Sequence, residues 1–125
     1  MQYVIKGVKA YFIALISCAF LQEARAAEAI VKVASLPDPI VVNRFYEWDL
    51  AVTDRGGGEA AGLSFQIRGR MPEHAHGLPV SPKIVEKRPG SYQIKGLSFN
   101  MPGRWIIEIL HNGAIALRQE LMVEL

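Results

Sequence analysis

The sequence predicts an all-β protein, an immunoglobulin-like antiparallel β-sandwich of about seven strands. Apolar residues alternate with polar ones in short runs, which is the period of a strand with one buried face. Turn residues interrupt these runs at roughly 8–12-residue intervals, as in sandwiches, and no stretch shows a convincing amphipathic helical pattern. The 125-residue chain has a single cysteine, Cys18, so no disulfide can join two sheets. The expectation is therefore the general sandwich architecture without the antibody-type cysteine pair, with a small barrel as the competing all-β arrangement.

The first 26 residues are set apart. "MQYVIKGVK" carries Lys6 and Lys9, "AYFIALISCAFL" is an apolar run from Ala10 to Leu21, and Ala24-Arg25-Ala26 has the small-x-small form of a cleavage site. These are the three regions of a secretory signal, with cleavage expected after Ala26. The apolar run is shorter than the roughly 20 residues of a membrane span. "LISC", Leu15 to Cys18, also fits a bacterial lipobox that would acylate Cys18, and an uncleaved N-terminal anchor is the third arrangement. All three place residues 27–125, one domain, in the periplasm or elsewhere outside the cytoplasm. Any contact with the membrane would come only through that N-terminal anchor.

Strands follow in order. "AIVKVAS" (Ala29–Ser35) is the first, stopped by "LPDP". "VVNRFYEWDLAVT" (Val41–Thr53) sets Tyr46, Trp48, Leu50 and Val52 on one face and Arg44, Glu47 and Asp49 mostly on the other. "DRGGGEAAG" is a turn. It lacks the Lys-Ser/Thr step of a phosphate-binding loop. "LSFQIRGR" turns Leu63, Phe65 and Ile67 inward. After "MPEHAHGLPVSP" come "KIVEK", the turn "RPGS", and "YQIKGL"; "RWIIEIL" then buries Trp105, Ile107 and Ile109. Asn112-Gly113 is a strong two-residue hairpin signal, because both residues tolerate positive φ. "AIALRQELMVEL" closes the domain with Ile115, Leu117, Leu121 and Val123 on one side.

If successive strands reverse direction, their connections alternate between the two ends of the sandwich. The loop Met71–Pro82 and the segment "SFNMPG" then share one end, and His111 belongs at the other. Met71, His74, His76 and Met101 become candidates for a common metal site. Thioether sulfur and imidazole nitrogen are soft to borderline donors that select copper, Cu(I) above all, over harder divalent ions. In extended chain His74-x-His76 points both rings to one side, and Pro72 and Pro79 limit the loop's freedom. The plain reading of the same residues is two methionines plugging the end of a core beneath two solvated histidines.

"MPEHAHGLPVSPKI" followed by "YQIKGLSFNMPGRWIIEI" resembles the YtkA-like/FixH-like group of small exported β-sandwich proteins. In that group a Met-Pro step and histidines precede G-x-P, and an aromatic or apolar residue precedes MPG-x-W. The resemblance spans Leu63 to Leu110. It implies an extracytoplasmic setting and, in some relatives, a connection with copper or cytochrome-oxidase assembly. FixH-like members carry a long membrane anchor. The short leader here departs from that pattern and points to a soluble periplasmic role.

Other chemistry finds little support. The 14 basic and 12 acidic residues fall to 11 of each once Lys6, Lys9, Arg25 and Glu23 leave with the leader. That balance offers no electrostatic footprint for nucleic acid. No nucleophile elbow is present, and a hydrolytic zinc site built on His74, His76 and Glu73 or Glu86 would leave the methionines without a role. The protein is expected not to be an enzyme. Arg68, Arg70, Lys83, Lys87 and Arg88 form a basic cluster beside the loop, read either as a solvated face or as a docking patch for an acidic partner. The expected function is copper binding or handling, with delivery to or from a haem or oxidase membrane protein. The alternative is a metal-free interaction module that docks to such a partner.

Overall fold

Alternation of polar and apolar side chains becomes two stacked sheets in the computed structural model, which describes residues 29–125. The leader, its cleavage site and Cys18 lie outside the described residues. In chain order the strands are β1 (Ile30–Ser35), β2 (Ile40–Val41), β3 (Phe45–Thr53) and β4 (Phe65–Arg70). They continue as β5 (Lys83–Arg88), β6 (Ser91–Ser98), β7 (Gly103–His111) and β8 (Ala114–Glu124). One sheet has the order β1-β3-β6-β5 and the other β2-β8-β7-β4. Every pairing is antiparallel except that of β2 with β8.

The core lies between the sheets and is made by the inward positions of the alternating strands. Trp48, Leu50 and Val52 from β3 and Tyr92, Ile94 and Leu97 from β6 meet Trp105, Ile107 and Ile109 from β7. Phe99 and Trp105 pack edge to face, with ring centroids 5.2 Å apart. β7 is covered on both sides: Ile106, Glu108 and Leu110, on its outer face, are buried as well. Arg68 and Arg70 of the neighbouring strand reach the Glu108 carboxylate at 3.2 and 3.7 Å, which keeps that buried charge partnered.

Three details depart from the sequence reading. There are eight strands, because Ile40–Val41 pairs in parallel with Val123–Glu124; a two-residue element is too short to show a period. The strand expected from Val41 starts at Phe45. Asn43, at φ 60°, turns the chain there and donates its amide to the Phe99 carbonyl. In β8 the register slips opposite Ile109 and Leu110, so Ala116 and Leu117 pack on the core while Ile115 stands half exposed. A single inserted residue reverses the side-chain parity on one flank of a bulge. The hairpin expected at Asn112-Gly113 forms, with both residues at positive φ.

Candidate functional site

The histidine loop is a small closed structure. Pro72 occupies the second position of a turn in which the His74 amide donates to the Met71 carbonyl at 3.2 Å. Proline presets the φ that this position needs. The Met71 amide donates to the His76 carbonyl at 3.2 Å, and Arg70 pairs with Gly77, so the chain returns beside the end of β4. Leu78 then folds down onto Gly69, where a Cβ would come within 2.7 Å of its side chain. His74 and His76 are exposed on the outside of this turn, with ring centroids 6.0 Å apart and planes tilted by 46°. A metal–nitrogen bond of ~2.0 Å, added to the imidazole ring radius, puts two rings that share one ion ~5–6 Å apart, centre to centre. The observed spacing falls at the upper end of that range.

The segment "FNMPGRW" lies at the same end, as the alternation of connections requires. Trp105, fully buried, donates its indole N–H to the Met101 carbonyl at 2.9 Å and closes the turn from below. Gly103 has φ 127°, a conformation essentially reserved for glycine, and a Cβ at this position would meet the Met71 methyl at 3.0 Å. The Met71 side chain is 2% exposed and belongs to the core. It plugs the sandwich end between the histidine loop and the Met101-Pro102-Gly103 turn. Met101 is half-buried and packs against the edge of the same core.

One ion pair joins the two segments. Arg104 donates Nε–H to the Glu73 carboxylate at 3.1 Å and binds Glu120 of β8 through its terminal Nη1. The hydrogen bonds it donates, to Glu120 first and then to Glu73, hold the guanidinium pKa above its ordinary value. The histidine loop is thus clamped to β7 and β8 from its acidic corner. Sequence reasoning missed this clamp, because Glu73 and Arg104 stand 31 residues apart and each looks like an ordinary surface charge. His111 lies at the opposite end, next to the hairpin, with Nδ1 3.2 Å from the Ser64 carbonyl oxygen. Among the described residues no three His, Cys, Asp or Glu side chains converge.

A search of curated proteins finds no match to the chain. Solved structures share its fold at low identity. The Lin-41 filamin domain superposes with a TM-score of 0.58 at 12% identity, over 79% of this chain and 94% of its own. FdeC, an adhesin of Escherichia coli, gives 0.58 at 24% identity over 77% of this chain, which spans 30% of that structure. A candidate lipoprotein from Bacillus anthracis gives 0.51 at 14% identity, over 76% of this chain and 73% of its own. At these identities the likeness is one of fold alone, an immunoglobulin-like sandwich. In sequence, a family match runs from residue 24 to residue 110 and takes in the whole motif region; the chain belongs to the YtkA-like family.

Proposed function

We propose that this protein is an exported, copper-handling accessory domain that holds Cu(I) at one end of the sandwich through His74, His76 and Met101. The observation that carries this reading is the meeting of the His74-x-His76 loop and the Met101-Pro102-Gly103 turn at one pole. The Glu73–Arg104 ion pair and the Met71 plug fasten them together there. Two imidazoles and a thioether form a soft donor set that suits a cuprous ion. Met71 is the inner sulfur, already engaged in packing, and acts as support. A Met/His set can bind and release copper outside the cytoplasm without forming a disulfide. Membership of the YtkA-like family and the signal-like leader support export to the periplasm. The recipient or donor of the metal is a haem or oxidase protein of the membrane.

The test is a titration of the exported protein with Cu(I) against a chromophoric chelator. The expected result is competition at one equivalent, lost in the His74→Ala/His76→Ala double variant and weakened by Met101→Leu. Met122→Leu, on the exposed face of β8, leaves it unchanged. No competition, or competition indifferent to the histidines, removes the copper reading. A second reading then stands, a metal-free module that docks to the same class of partner. The rigid, exposed turn around Glu73 favours it, because a preorganised loop loses little entropy on binding.

A further inference from the structure

The Glu73–Arg104 ion pair is one half of a triad. Arg104 lies on β7 directly opposite Met122, and Ile106 lies opposite Glu120, so Glu120 is the diagonal neighbour of Arg104 on the outer face of the sheet. The guanidinium thus carries two carboxylates at once, Glu73 on Nε at 3.1 Å and Glu120 on Nη1. They meet different nitrogens of one rigid, planar fork, so neither displaces the other. Arg104 and Glu120 stand on paired strands, whereas Glu73 stands on the turn that carries the histidines. All three side chains are roughly half exposed.

The two carboxylates stand differently toward the copper donors. Glu73 is the residue before His74, and Arg104 is three residues after Met101, so their pair ties together the two segments that supply the donors. Glu120 belongs to neither segment and acts on the guanidinium. A free arginine side chain has several rotatable bonds to immobilise before it can hold Glu73. The bond to Glu120 immobilises it in advance, which lowers the entropy lost when Glu73 is captured. No other charge on this face competes. Glu108 is taken by Arg68 and Arg70, and Arg118, the one cation of β8, makes no ion pair with Glu120 among the described residues.

We propose that Glu120 is a positioning residue for copper retention. It holds the Arg104 guanidinium ready for Glu73 and so keeps the histidine loop against the Met101 turn, in a latch that ionic strength controls. The inference rests on the copper reading above and goes beyond it, because it assigns part of the hold to a residue outside both donor segments. Exposed ion pairs are weak and are screened by salt. The latch is therefore a light one: it tightens the site a few-fold and loosens as salt, or another cation, competes for its carboxylates.

The experiment is Cu(I) competition against a chromophoric chelator on the exported protein, at low and at high salt, with amide exchange followed in the metal-free protein. Glu120→Gln should weaken Cu(I) binding ~2–5-fold at low salt and speed exchange at His74 and His76. Added salt should shrink both differences. Glu124→Gln removes the same charge from the same strand and should do neither. In an Arg104→Gln background Glu120→Gln should have no further effect, because its action passes through the guanidinium. Competition by the parent with an unchanged Glu120→Gln, an equal loss in Glu124→Gln, or additive losses with Arg104→Gln overturns the proposal and leaves the copper reading standing. No competition by the parent removes the copper reading and this role with it.

Discussion

Trp48 and Trp105 are equally buried, yet their indole nitrogens are treated differently. The Trp105 N–H holds the Met101 carbonyl, whereas the Trp48 N–H has no acceptor among the described residues. A buried donor left unpaired costs about 1–3 kcal/mol, which offsets part of what the ring contributes by packing. Trp48→Phe removes both the orphan donor and some volume, so a net loss of no more than ~1 kcal/mol is expected in urea denaturation. Trp105→Phe also removes volume and strands the Met101 carbonyl, so it should cost ~2–3 kcal/mol. Equal losses would show that the hydrogen-bond difference is immaterial. Gly103 makes a second residue-scale case. Gly103→Ala suffers both the positive φ and the contact with Met71, for a loss of ~2 kcal/mol or more. Removing the contact in Met71→Ala/Gly103→Ala should make the double variant less unstable than the sum of the singles. Strict additivity in a double-mutant cycle would argue against the steric part.

Among the elements, the histidine loop depends on two kinds of restraint. Its backbone turn is set by Pro72, and its position by Glu73 on Arg104. The ion pair is exposed, so its loss should be local and should not register as global unfolding. Arg104→Gln is expected to leave the denaturation midpoint unchanged. Amide exchange at His74 and His76 should accelerate, and added salt should bring the parent closer to the variant. An unaltered exchange pattern would mean that Pro72 and the Met71–His76 hydrogen bond suffice. The pH dependence has a definite sign. A guanidinium whose pKa is raised on folding contributes stability below its unfolded pKa and loses it only in strongly alkaline solution. Titration of Arg104 should therefore leave the clamp flat from mildly acidic to mildly alkaline pH.

At the scale of the whole molecule, strands β1 to β8 all fall within residues 27–125, the part expected to remain after cleavage. Export of the full chain from a bacterial host should yield an intact mass corresponding to Ala27–Leu125, unaffected by Cys18→Ala. A lipid-modified mass that disappears in Cys18→Ala would establish anchoring instead. The domain has no disulfide available, and its cohesion comes from a core that runs from Val31 to Val123. Reducing agent should leave the unfolding midpoint unmoved.

The sequence by itself determined the fold class, most strand positions and the end of the sandwich at which each loop lies. Period-two alternation says which face of a strand is apolar, and short links force the chain to reverse. Those signals placed Trp48, Leu50 and Val52 inside and set Met71, His74, His76 and Met101 at the pole opposite His111. Only the tertiary structure decided which partners Met71 and the histidine loop find there. Met71 proved to be a core plug because β4 delivers it beneath Gly103, and Arg104 became the clamp on Glu73 because strand pairing erased 31 residues of separation. The parallel β2 and the bulge at Ala116 were likewise invisible. Each is a property of how strands meet across space, and alternation along a single strand carries no record of its neighbour's register.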